Sequence, residues 1–514
     1  MPAVTDSERQ GLVEAPAGTS RELEPPPPRE PWEEPPAAAW ASHLGGLGRE
    51  TLAVIASFSA AIGSVYLFGV ASQLSGQQTP GQYTRIFLWC LIGILVGATL
   101  VFIWRRLEGL TLLGAMFTDY GRVARFGGRP PVWLDEAPGG GLRLAHLSDL
   151  HITEGDRVRM VERATPGGNL RVAELLGRTE LAEAEVIVIT GDITDRGTAA
   201  SWRCAIDLLD RTGLKGRVVL VPGNHDLSVI QPWDGLRDPE RLWRRNDRFG
   251  IVQLANLIKF CDAFAATAGG RLGTVWKGDA PIAYADVWAA IERDVRPLVQ
   301  SLPGAPVPRQ WLGRGFLARR DEVLAYHARI ATARKALLAL FPVAVPIGQD
   351  AVVFVMNSCT PVSRHPVTNA LGWVGRAQYR RLDRLARAFP RPLKLVALHH
   401  HVVRRVEEQS RDLKARIFAK LTVLGDAGPL VRFCRRHHVR AVMNGHRHLS
   451  YQVRLPNGTV LLAAPSSALG DELARDPRPQ FERYDLAPTI DEPTVGIYRR
   501  VIRTPLSRPA PKAP

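Results

Sequence analysis

Cysteine is scarce and unpatterned. Cys90, Cys204, Cys261, Cys359 and Cys434 are spread over 514 positions. Such an odd, sparse set argues against a disulfide framework and fits a reducing compartment. None has the spacing of a thiolate metal site. Acidic residues are in deficit, with 50 Asp and Glu against 66 Lys and Arg. The resulting net charge of +16 favours anionic partners, whether phosphorylated substrates, acidic lipid surfaces or nucleic acid. The positive residues are not interleaved with aromatics that could stack on bases, so nucleic acid ranks low among them.

Charge is missing altogether from two stretches. Residues 52–71 and 86–104 contain no Asp, Glu, Lys or Arg, and each approaches the ~20 residues that cross a bilayer as a helix. A short polar connector with Gly76, Pro80 and Gly81 separates them, so residues 51–106 are expected to form a transmembrane hairpin. A cleaved leader does not fit, because a long acidic segment precedes the first run and a second run follows. Arg105 and Arg106 directly follow the second span and Arg49 precedes the first. By the excess of positive charge at those ends, both termini and the large domain that follows are expected in the cytoplasm of a two-span membrane protein.

Residues 1–50, with four Arg against nine Asp and Glu and the run Pro25-Pro26-Pro27-Pro28, are too poor in apolar surface to fold and are expected to be a disordered tail. A juxtamembrane linker is expected over 107–140 and a second disordered tail over 503–514. Between them, 141–502 reads as a single domain. Apolar runs of strand length at 142–148, 186–190, 217–221, 351–357, 393–398, 439–443 and 459–464 alternate with helical patterns at 169–183, 198–212 and 375–388, which predicts an α/β fold. Residues 228–346 break the rhythm as a helical insertion, either a substrate-selecting cap or a structural elaboration.

Polar residues that can bind metals gather at the ends of the apolar runs. The segments are Asp149-Leu150-His151, Gly191-Asp192-Ile193-Thr194-Asp195-Arg196-Gly197, Gly223-Asn224-His225-Asp226, His399-His400-His401 and Gly445-His446-Arg447-His448. Ligands of open α/β sheets collect beyond the carboxyl ends of strands, so one edge can deliver all of these side chains to one place. Their chemistry suits two metal ions about 3.5–4 Å apart, which generate a nucleophilic hydroxide and offset charge on phosphoryl oxygens. Asp192 suits the shared carboxylate. Asp149, His151 and His448 complete one ligand set, and Asn224, His400 and His446 the other, with His399 as the second choice for the strand-end histidine. Oxygen and nitrogen donors without thiolate select Mn, Fe, Zn or Co over Ca or Mg.

The combined pattern D-x-H, G-D-x-x-D-x-G, G-N-H-D, strand-end His and G-H-x-H resembles the calcineurin-like metallophosphoesterase superfamily over roughly 142–468. The resemblance implies a four-layer α-β-β-α sandwich of two mixed sheets flanked by helices. It also implies that His225 acts near the leaving group, oriented by Asp195. Arg196 is the candidate phosphate-binding residue. The closing G-H-x-H looks more like the phosphodiesterase branches, cyclic nucleotide phosphodiesterases included, whereas Asp195-Arg196-Gly197 also looks like the protein phosphatases. The expected activity is hydrolysis of a phosphodiester or phosphomonoester, on a small or lipid-linked substrate, by a metal-bridging hydroxide. The alternatives are a protein phosphatase and a non-catalytic membrane scaffold that keeps the metal site.

Overall fold

The computed structural model describes residues 92–93, 129–154, 168–227, 239–269, 272–301, 320–359, 371–391, 393–403, 422–471, 474–488 and 495–504, with only the backbone at 168, 239–252, 320–327 and 488. The tail 1–50 lies outside these residues, as does the expected hairpin apart from residues 92 and 93. Among the described residues no helix is long and apolar enough to cross a membrane.

The strands in chain order are β1 (Val132–Trp133), β2 (Leu142–Leu147), β3 (Val186–Ile189), β4 (Val218–Leu220), β5 (Thr274–Lys277), β6 (Ala280–Ala283), β7 (Val343–Ile347), β8 (Ala351–Val355), β9 (Leu393–Ala397), β10 (Val439–Asn444), β11 (Tyr451–Arg454), β12 (Val460–Ala463), β13 (Gln480–Pro488) and β14 (Val495–Arg503). They build two mixed sheets, one ordered β1-β14-β13-β2-β3-β4 and the other β11-β12-β10-β9-β8-β7-β5-β6. The helices are α1 (Gly168–Leu176), α2 (Thr179–Ala182), α3 (Ala199–Arg211), α4 (Asn224–Leu227), α5 (Pro239–Thr267), α6 (Tyr284–Asp294), α7 (Arg296–Ser301), α8 (Arg320–Leu338), α9 (Arg376–Ala388) and α10 (Ala427–His437).

Strand periodicity divides the second sheet between two cores. Val353, Val355, Leu395 and Ala397 face the first sheet and share its core with side chains of α1, α3, α5, α6 and α8. Val352, Phe354, Val396 and Leu398 face the opposite way, onto Tyr379, Leu382 and Leu385 of α9 and Leu430 and Phe433 of α10. Parallel pairing of β2 with β3 and of β3 with β4 brings their carboxyl ends to one edge. The parallel pairs β8–β9 and β9–β10 do the same in the second sheet.

Three expectations change. The stretch 228–346 is not a simple helical insertion. It ends in β7 and supplies the β5–β6 hairpin, which extends the second sheet, while Leu257, Phe260 and Phe264 of α5 and Leu337 of α8 join the first core. Part of the expected linker belongs to the domain, since Val132 and Trp133 pair with Gly496 and Ile497. The last strand also continues to Arg503, one residue into the expected C-terminal tail.

His146 on β2 is fully buried, with Nε2 3.0 Å from Thr190 Oγ1. Burial lowers its pKa from 6.5 to about 4, against the upward pull of Glu482 and Asp149. The unfolded chain therefore takes up a proton below pH 6.5 that the folded chain refuses. The stability contribution is complete above that pH and is lost as pH falls towards 4, by about 3 kcal/mol. Denaturant titrations at pH 7 and 4.5 should show this loss in the parent chain and a smaller one in His146→Gln. An equal loss in both would contradict it.

Candidate metal centre

Backbone hydrogen bonds join the strand-end loops before any side chain does. Asp149 N donates to Gly191 O (3.0 Å) and His151 N to Asp192 O (2.9 Å). Gly445 N donates to His399 O (2.9 Å), and Ser467 N to Ser148 O (2.7 Å), which ties the two sheets together. The turns are tight enough to force unusual backbone. Asp149, His151, Asp192, His446 and His448 all adopt positive φ, between 45° and 77°. Non-glycine residues enter that region at a cost and cluster there where function fixes the geometry.

Glycine makes the crowding tolerable. A Cβ on Gly223 would sit 2.0 Å from Asp192 N and 2.2 Å from Asp192 Oδ1. Asp226 adds a buried clasp that the sequence reading did not assign. Its carboxylate accepts from Ile193 N (3.2 Å), Thr194 N (2.7 Å), Thr194 Oγ1 (2.9 Å) and Gly223 N (3.1 Å). The signal for it was already present in Gly223-Asn224-His225-Asp226.

The side chains converge as three overlapping groups. Asp149, His151 and His448 form one, His151, Asp192 and His225 a second, and Asp192, His399 and His446 a third, with ligand atoms in each within 4.8 Å of one another. Asp192 belongs to two groups and His151 to two. Asn224 joins the third through Oδ1, 3.0 Å from His399 Nε2. His399 Nε2 also lies 3.3 Å from Asp192 Oδ2 and 3.0 Å from His446 Nδ1.

Of the three adjacent histidines it is His399, the second choice from the sequence, that groups with Asp192 and His446. Periodicity gives the reason. His399 continues the parity of Leu395 and Ala397, which face the first sheet, whereas His400 continues that of Val396 and Leu398, which face away. His400 Nδ1 instead meets Ser358 Oγ at 2.9 Å. That hydroxyl also accepts from His399 N and His400 N, so Ser358 holds the loop.

Asp195 lies against two rings, His225 and His151. Its carboxylate lies 3.2 Å from His151 Nδ1 and 3.7 Å from His225 Nδ1, and His225 Nδ1 donates to the Asp195 backbone carbonyl at 3.0 Å. Asp195 thus anchors His225 by its main chain and draws on His151 by its side chain. Arg196 is about half exposed at the rim, with Nε 3.9 Å from Asp195 Oδ2.

The donor set fits cations. Burial lowers the pKa of His151 and, with help from His400, that of His446, so both rings are neutral at pH 7. Nε2 of each is buried with no hydrogen-bond partner among the described residues. Burial opposes charge on Asp192, yet His399 and His225 hold it well below the usual carboxylate range. Burial likewise opposes charge on His399, but Asp192 wins and raises it to about 9. His399 Nδ1 donates to Thr190 O at 2.7 Å, which directs Nε2 at the cluster. Ionised carboxylates facing the neutral rings of His151 and His446 fit the mixed oxygen and nitrogen set expected above, and His399 would release its Nε2 proton when a cation binds there.

Residues 142–329 match the family described as Calcineurin-like phosphoesterase. That stretch carries Asp149, His151, Asp192 and Asn224, and the fold brings His399, His446 and His448 to them from beyond it. No match was found among curated proteins. Solved structures similar to the chain include a dimetal phosphatase from Danio rerio, at 12% identity over 67% of this chain and 93% of that one, with a TM-score of 0.31. Another is Vacuolar Protein Sorting 29 from Cryptosporidium parvum, at 10% identity over 71% and 99% with a TM-score of 0.22. A third is a protein serine/threonine phosphatase from Saccharomyces cerevisiae, at 11% identity over 77% and 90% with a TM-score of 0.24. Superpositions this loose carry no functional inference. The match over 142–329 and the ligand groups support a phosphate-ester hydrolase, with the likeness to the calcineurin-like phosphoesterases lying within that stretch.

Proposed function

We propose that this chain hydrolyses a phosphodiester or phosphomonoester at a two-metal centre built around Asp192. The supporting observation is the linkage of three ligand groups through two shared residues, Asp192 and His151. Asp149, His151 and His448 would hold one ion, and Asn224, His399 and His446 the other, with Asp192 between them. A bound pair of Mn, Fe, Zn or Co ions would supply the attacking hydroxide and neutralise charge on the phosphoryl oxygens.

The chain's own residues do the rest. His225 donates through Nδ1 to Asp195 O, which frees Nε2 to protonate the leaving oxygen. Its side chain is 14% exposed, enough to meet a substrate at the cluster edge. Arg196 offers its guanidinium to a phosphoryl oxygen from the rim. The G-H-x-H ending supports a phosphodiesterase-like specificity, and Asp195-Arg196-Gly197 supports the protein phosphatase alternative. We also read 52–71 and 86–104 as a membrane hairpin, with the catalytic domain on the cytoplasmic side. Their length and freedom from charge support this, and it brings lipid-linked phosphates within reach as substrates.

A panel of bis(p-nitrophenyl) phosphate, p-nitrophenyl phosphate, cyclic nucleotides and a phosphopeptide, assayed with Mn, Fe, Zn, Co and Mg, tests the reading. Turnover of the small esters with a transition metal, abolished by chelation, is expected. Activity on the phosphopeptide alone would favour the protein phosphatase, and turnover of nothing would favour the scaffold.

A further inference from the structure

The outer face of the second sheet carries a concentration of positive charge that the catalytic centre does not use. Helix α9 holds five Arg against one Asp, and α10 holds three Arg and no acid. Arg376, Arg380, Arg384 and Arg387 recur at i, i+4, i+8 and i+11, which places them on one side of α9. All four are exposed, while Tyr379, Leu382 and Leu385 pack inward. On α10, Arg435 and Arg436 are exposed in the last turn.

Asp383 ties the two helices into one surface. Its carboxylate lies 2.6 Å from Arg387 Nη2, 3.7 Å from Arg436 Nη1 and 2.6 Å from His437 Nε2. His437 is thus a buried partner of Asp383, where the basic run Arg435-Arg436-His437-His438 reads as a solvated helix end. This one carboxylate serves three groups, Asp279 lies 3.7 Å from Arg384 Nη1, and among the described residues Arg376, Arg380 and Arg435 have no acidic side chain within ion-pair distance. Within α9, Arg381 is lowered to about 10, chiefly by burial and then by the charge of Arg380. Like charges one helical turn apart repel and destabilise a helix, so such a row gains stability when an anionic partner covers it.

We propose that the α9–α10 face docks on the anionic phospholipid headgroups of the membrane that anchors the chain, an inference that rests on the membrane attachment proposed above and not on the hydrolysis. Charge complementarity selects a polyanion. The lack of stacking groups favours headgroups over RNA, since the large exposed apolar side chains among the described residues are Ile92, Trp133 and Leu170, none of them on α9 or α10. The charge-free runs 52–71 and 86–104 would keep this face within reach of a bilayer.

The test uses the full chain with a fluorophore coupled to a keto amino acid in place of Ala388, an exposed residue at the end of α9. The chain is reconstituted in vesicles of phosphatidylcholine, with or without 30% phosphatidylserine, carrying acceptor dye on the headgroups. Energy transfer should be roughly threefold higher with phosphatidylserine at 0.1 M salt and fall to the phosphatidylcholine level at 0.5 M, where screening is severe. The triple variant Arg376→Gln, Arg380→Gln, Arg435→Gln should lose the difference while keeping its melting temperature and its rate of ester hydrolysis. Equal transfer in both lipids, or no association with either, would overturn the inference. So would capture by single-stranded RNA more tightly than by anionic vesicles at equal phosphate concentration. Phosphate release in the same samples reports on the catalytic reading separately.

Discussion

Asp192→Ala should lower kcat/KM for the best small phosphate ester by at least ~10³-fold, the scale of losing a preorganised electrostatic element at a reacting centre. The effect is expected to be this large because Asp192 belongs to two of the three ligand groups, one of which shares His151 with the third. It is also the counter-charge that raises His399 to about 9. The carboxylate accepts from His225 N at 2.8 Å, so its removal leaves one N–H short of a partner. That costs about 1–3 kcal/mol, less than a folded domain of this size should need to stay folded. His446→Ala should give the same catalytic loss. The measurement is steady-state turnover beside thermal melting, and near-normal kcat/KM in either folded variant would remove the site from the mechanism.

Gly223→Ala should be nearly as damaging, although glycine has no chemistry. A methyl group there would overlap both the Asp192 backbone nitrogen, at 2.0 Å, and its carboxylate. The backbone cannot retreat easily, because Gly223 N is itself held by Asp226 Oδ2. Overpacking of this kind costs about 1–3 kcal/mol, and the displaced Asp192 should bring a loss of turnover of at least ~10²-fold. Gly213, whose added Cβ would meet nothing within 4 Å, lies in a turn away from the cluster. Gly213→Ala should therefore leave turnover unchanged, with only a modest cost from its positive φ of 68°. Melting curves and kinetics for the pair decide the matter, and equal turnover in the two variants would contradict the crowding argument.

Much of this architecture was legible from residue patterns, for definite reasons. The seven apolar runs became strands within one or two residues of their expected ends, because stretches such as Val186-Ile187-Val188-Ile189 are buried from end to end and turn residues bound them. Strands β13 and β14 escaped notice because a charge interrupts the pattern. Glu482 is fully buried in β13, satisfied by Arg499 at 2.5 Å, by Ser450 and by Tyr484. A carboxylate in a strand reads as exposed until its partners, far along the chain, are known.

The same limit governed the site. Motif spacing singled out Asp149, His151, Asp192, Asn224, His446 and His448, which the fold brings together, but three adjacent histidines offer no such distinction. Counting parity along β9 from Leu395 would have pointed to His399, since only alternate residues face the first sheet. Asp195 was assigned a single orienting role because no sequence pattern reveals that its carbonyl and its carboxylate serve different rings. Ser358, which fixes the histidine loop through three contacts, gave no signal at all.

Metal content, measured by mass spectrometry on the full chain after loading with Mn or Zn and removal of free ion, tests the two-ion centre most directly. Two ions per chain are expected in the parent and in His400→Ala, and fewer than two in His399→Ala and Asp192→Ala. No retained metal in the parent, or two ions retained in Asp192→Ala, would contradict a centre built around that aspartate.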